Sequence, residues 1–102
     1  MSLERGIGSP TEQSGGDVLF PMNDGSLRIL CRVTGEALYR IAGVRFPTAR
    51  RAFDAVRLRI EHIAAAKYDG GFVEADGTVI VRPSDFVWSA ATAQKSPGRG
   101  RG

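Results

Sequence analysis

The side chains from which nucleophilic, acid–base or metal chemistry would first be sought are one cysteine, Cys31, one histidine, His62, and a scatter of carboxylates. Cys31 would act as a nucleophile only beside a base. His62 falls on the outer side of the helix predicted around it, whereas Cys31 falls on the apolar face of a predicted strand. The two are expected not to meet, which leaves Cys31 a small buried hydrophobe and His62 a surface residue. One Cys and one His also make no zinc site at any usual spacing. Asp24 and Asp76 precede glycine in turns, and Asp17 and Asp85 stand near strand ends. Turn and capping chemistry accounts for them, and no second titratable group is placed to split acid and base roles. The glycine patterns of phosphate and dinucleotide sites are absent, as are HExxH and GxSxG. No catalytic residue, metal ligand or cofactor site is therefore assigned, and a non-enzymatic protein is expected.

Charge offers a second route to function. Residues 1–16 carry a net −1, residues 17–88 hold ten basic against nine acidic groups, and residues 89–102 carry +3. The sequence pI of about 9.6 thus comes from the tail. A central part so nearly neutral lacks the clustered excess of a dedicated nucleic-acid surface. Arg28 and Arg32 fall on the strand face away from the helix, Arg51 points to solvent, and Arg50 and Arg57 alternate with Asp54 and Glu61. That is a solvated surface of mixed sign. Arg57, beside the core stripe, can lay its stem on apolar surface and form a structural ion pair with Glu61 one turn on. Lys95, Arg99 and Arg101 are the candidate contacts for nucleic acid or another anion. Three cations between glycines would give only weak, salt-dependent binding; a plain solubilising tail is the simpler reading, and Gly98 to Gly102 is no phosphate loop, since no strand precedes it.

The elements that must position these groups follow from periodicity. In PTARRAFDAVRLRIEHIAAAK, residues 47–67, the positions Ala49, Phe53, Val56, Ile60, Ile63 and Lys67 recur at spacings of three and four, which winds them onto one stripe of a long helix. Upstream, residues 18–20 form a short β-prone run that Pro21 is expected to break, and Asn23-Asp24-Gly25 signals a hairpin. In SLRILCRV, Leu27, Ile29, Cys31 and Val33 alternate with Arg28, Leu30 and Arg32, predicting a strand with one buried face. Thr34 is placed as an N-cap for a short helix with Glu36 in its first turn and Gly43 as its stop; Pro47 or Thr48 starts the long one. After Asp69-Gly70-Gly71, residues 72–74 and 78–82 flank Asp76-Gly77 and predict a second hairpin. Phe86, Val87 and Trp88 add a last apolar patch.

At 102 residues the chain has room for one domain, and 42% apolar with 25% charged residues suffices to fold it without metal or disulfide. The expected class is α+β: a small antiparallel sheet in ββααββ order with one short and one long helix on one face. Residues 17–88 form that domain, and residues 1–16 and 89–102, rich in Gly, Ser and Pro, are expected to be disordered. With a lone cysteine, no signal-peptide pattern and no apolar run near the ~18 residues of a membrane span, a reducing cytoplasm is the default and no membrane partner is expected.

From Asp17 to about Asp85 the sequence resembles the small bacterial proteins of domain of unknown function family 1488. The likeness lies in a first strand ending at Phe20-Pro21, the Gly25-to-Cys31 strand and the Glu36-Ala37-Leu38 helix. It continues through Phe53, Arg57, Ile60, Glu61 and Ala64 on the long helix, then Asp76-Gly77-Thr78-Val79 with Asp85. The resemblance implies an α+β fold and brings no established activity or functional residue. The function expected is binding of an unknown protein or of a second copy, through the uncovered sheet face or a free strand edge. The alternative is an auxiliary nucleic-acid-binding protein that uses its Arg-Gly tail.

Overall fold

The structure, a computed structural model, describes residues 3–43 and 46–85. In chain order the elements are β1 (Leu3–Arg5), β2 (Thr11–Glu12), β3 (Val18–Asp24), β4 (Leu27–Val33), α1 (Gly35–Ala42), α2 (Ala49–Asp69) and β5 (Val79–Val81), with a further helical turn at residues 83–85. The centre is the β3–β4 hairpin, in register from Val18 opposite Val33 to Asp24 opposite Leu27. Gly25, at φ 62, supplies the positive φ that its two-residue loop needs. The sheet runs β1-β3-β4-β5, with β2 also on β3. It is α+β and mostly antiparallel.

Alternation sorts the two faces. Val18, Phe20 and Met22 of β3, Ile29, Cys31 and Val33 of β4, and Val79 and Val81 of β5 are buried beneath the helices. From above, Leu38 and Ile41 of α1 and Phe53, Ile60 and Ile63 of α2 complete the core. The Phe20 and Phe53 rings meet at 5.1 Å and 44°, an arrangement aromatic pairs favour. The helices begin where a side-chain oxygen can satisfy a free N–H. Thr34 accepts from Ala37 and Thr48 from Arg51, each at 3.1 Å. Gly43 closes α1 in the left-handed region at φ 76, donating its N–H to Tyr39 O.

Several expectations are corrected. Residues 1–16 do not read as structure by composition, yet β1 and β2 pair with β3 and bury Leu3 to 3% exposure. Short strands added to an existing sheet need little periodicity of their own, because the partner strand supplies the ladder. Pro21 does not end its strand. Its carbonyl accepts from Gly6 N at 3.1 Å, so its nitrogen also faces β1 and β2, at the gap where one hands over to the other. The missing N–H therefore removes no bond to β4. Leu27 lies at the hairpin tip and is 58% exposed, unlike its strand-mates.

The second hairpin is also absent. A tight turn does form, with Glu74 N bonded to Thr78 O at 2.8 Å, but Phe72 N is held by Lys67 O and Val73 N by Gly71 O at the end of α2. Residues 72–74 cannot then extend a ladder, and residues 79–81 instead join β4 in parallel, Cys31 opposite Val79. Parallel pairing requires a long crossover, which α1 and α2 provide. Within α2, Val56 is non-helical (φ −123, ψ 19) and only half-buried. No proline or glycine lies inside the helix. The kink separates a first half tied to residues 10–12 through Arg50 from a second half tied to β1 and β5.

Candidate functional site

The sheet face away from the helices carries the side chains of opposite parity: Leu19 and Pro21 of β3, Arg28, Leu30 and Arg32 of β4, and Ile80 of β5. No described helix covers it. Its hairpin end is roofed by the 6–8 loop, where Arg28 Nη1 donates to Ile7 O at 3.2 Å. The other end is open. There Leu19, Leu30, Cys31, Arg32, Asp76, Thr78 and Ile80 line a cavity of about 260 Å³. Leu30 is 41% exposed. Arg32 lies 3.5 Å from Asp17, whose other oxygen accepts from Gly35 N. Asp76 accepts from the Thr78 hydroxyl at 2.7 Å and the Thr78 N–H at 3.0 Å. Those bonds, the hydroxyl foremost, with a smaller effect of Arg32, hold its carboxyl below the usual range.

On the helix side the structure brings Arg57 and Glu61 together, Nε to Oε2 at 2.9 Å, and adds a partner the sequence did not disclose. Arg5 of β1 grips both oxygens of Glu61, at 2.8 and 2.9 Å. Burial pulls the Glu61 carboxyl up, but the hydrogen bonds from Arg5 and Arg57 outweigh it and leave it below the usual range. The Arg57 guanidinium also lies 5.5 Å from the Phe53 ring centre, a cation–π contact. Every acceptor here is engaged by a neighbouring cation, so the cluster ties β1 to α2.

Lys67 is the second buried charge, and turn chemistry alone would have missed its partner. Its Nζ donates to Ile80 O at 2.7 Å and to Asp85 Oδ2 at 2.8 Å, and the same Asp85 oxygen accepts from Arg82 N. Its place on the apolar stripe of α2 was the available signal. A hollow of about 290 Å³ beside it is lined by Phe72, Ser84 and Asp85.

The remaining candidates do not converge. Cys31 is wholly buried; burial first, and then the Glu61 carboxylate, push its thiol up to about 12. His62 is exposed on α2, and Asp24 accepts from the Tyr68 hydroxyl at 2.8 Å. Among the described residues, no group of three or more His, Cys, Asp or Glu side chains could hold a metal ion, and no helix is long and apolar enough to cross a membrane. Lys95, Arg99 and Arg101 lie outside the described residues, as does the patch at residues 86–88.

Comparison with known proteins agrees with this fold. A protein from Shewanella loihica PV-4, whose crystal structure is described as a protein of unknown function from the DUF1488 family, superposes with a TM-score of 0.68 at 18% identity, over 78% of this chain and 91% of that one. At that identity the likeness concerns the fold alone. No curated protein matches this chain. The family model described as "Protein of unknown function (DUF1488)" matches residues 11–81, from β2 through β5. That span takes in the whole crossover and the open sheet face, and the chain belongs to the DUF1488 family.

Proposed function

We infer that this protein is a non-enzymatic binding domain whose working surface is the open end of the sheet. The observation that supports the reading is the exposed apolar centre at Leu30, flanked by Leu19 and Ile80 and bordered by ionised groups of both signs. An apolar core with a polar rim is the anatomy of a protein interface. Catalysis is disfavoured because Cys31 is buried with a raised thiol, the buried Glu61 is matched to Arg5 and Arg57, and the half-buried Asp85 is matched to Lys67. A nucleic-acid partner is disfavoured for the described residues, which carry ten basic against eleven acidic side chains. The test is cross-linking in source cells with the full chain and with Leu30→Arg as baits. The reading expects at least one protein, a second copy included, to be captured by the first and lost with the second. Identical captures would reject it.

A further inference from the structure

We propose that the open sheet face binds a second copy of this chain, face to face, as a weak symmetric dimer. The proposal rests on the reading just given and names its partner. Two features of the structure support it, and a third sets its strength.

The face is electrically polar along β4. Arg28 stands at the hairpin end, Leu30 in the middle, and Arg32 at the far end between Asp17 at 3.5 Å and Asp76. Those three far-end groups sum to one negative charge. Alternate residues on a strand are about 6.6 Å apart, so Arg28 and Arg32 lie about 13 Å from one another with Leu30 midway. Consider a two-fold axis lying between two such faces and crossing β4 at Leu30. It sets Leu30 against its own copy and brings each Arg28 to the Arg32 end of the other subunit, where Asp17 and Asp76 flank that arginine and leave one net negative charge. Opposite charges about an apolar centre are what an isologous contact needs, since each patch must complement itself.

Edge-to-edge growth of the sheet is the competing way to pair. Because Val81 O bonds back to Thr34 N, on the β4 side, the carbonyl of Ile80 faces outward from β5, and Lys67 Nζ already occupies it. With that carbonyl already satisfied from α2, the β5 edge offers an incoming strand one acceptor fewer. The face is left as the more available surface.

Size sets the strength. β3 and β4 are seven residues long but β5 only three, and the hairpin end lies under the 6–8 loop, so at about 4.8 Å between strands and 3.3 Å per residue the open face spans roughly 200–300 Å². Pairing two such faces buries less than the 1,200–2,000 Å² typical of stable complexes, so a dissociation constant of about 10 µM or weaker is expected.

Sedimentation equilibrium of the full chain, from about 10 µM to about 1 mM, tests this. Mass is expected to climb from that of an 11.0 kDa monomer toward twice that value. Leu30→Arg should raise the dissociation constant about 30-fold. Arg28→Asp and Asp76→Arg should each raise it about 5-fold, and the two together should recover most of the loss. Circular dichroism checks that each variant is folded, and all three positions are solvent-accessible. A chain that stays monomeric at the highest concentration overturns the proposal and gives the face to another protein or to this chain's own C-terminal segment. So does a dimer indifferent to Leu30→Arg. Either result leaves the cross-linking test of a face-dependent partner standing on its own.

Discussion

Cys31 and Glu61 show how environment decides what a side chain can do. With its thiol pushed up to about 12 and no exposed surface, Cys31 is expected to resist a disulfide reagent at pH 8 and to react at the ordinary rate once guanidinium unfolds the chain; rapid native labelling would contradict its burial. Glu61 carries a folded value below its unfolded one, so the folded state holds fewer protons in that range. Its contribution is then present above about pH 4.3 and lost as pH falls through the lowered folded value. Glu61→Gln should therefore cost about 1–3 kcal/mol at pH 7 and flatten the acid limb of the stability curve relative to the parent, as read by urea melts between pH 3 and 7. Arg5 is half-exposed, and solvent screening keeps its share of that contribution small. The helical spacing of Arg57 and Glu61 was legible from the sequence because both lie on one element. Arg5 was not, since nothing local reports which strand packs on which helix.

Lys67 and the N-terminal strands belong to the scale of elements. Lys67→Met removes the cation paired with Asp85 and the donor to Ile80 O, and by leaving a half-buried carboxylate without it should cost about 2–3 kcal/mol in chemical denaturation; adding Asp85→Asn should recover part of it. Leu3→Ala should cost about 2–3 kcal/mol, the toll of a buried leucine, where a disordered end would cost nothing measurable. The elements readable in advance were those with long periods or local caps: α2, α1 with Thr34 and Gly43, and the β3–β4 hairpin. The misread elements were short. β1 and β2 owe their existence to β3, and the Asp76-Gly77 turn formed without its ladder because the end of α2 holds residues 72 and 73 by their N–H groups. A turn signal specifies a reversal of direction, and pairing is decided elsewhere.

At the scale of the molecule, charge separates the folded part from its tail. The described residues are nearly neutral, so any RNA affinity of the full chain at low salt should vanish when Lys95, Arg99 and Arg101 are changed to Gln, as read by filter binding at about 20 mM salt; unchanged affinity would instead assign the contact to the folded part. The open face could be anticipated from the alternation of Arg28, Leu30 and Arg32, but its polarity could not. That depends on Asp17 and Asp76 arriving from two other parts of the chain. Pro21 stands where β1 and β2 meet along the rim of β3. Fibril growth copies an unbroken row of backbone donors from one molecule to the next. Were the N-terminal arm to peel away during heating or proteolysis, the bared rim would offer two stubs divided by an imino acid rather than a seven-residue template. The protein thus carries a stop against templated aggregation at the spot where losing its first residues would otherwise be most hazardous.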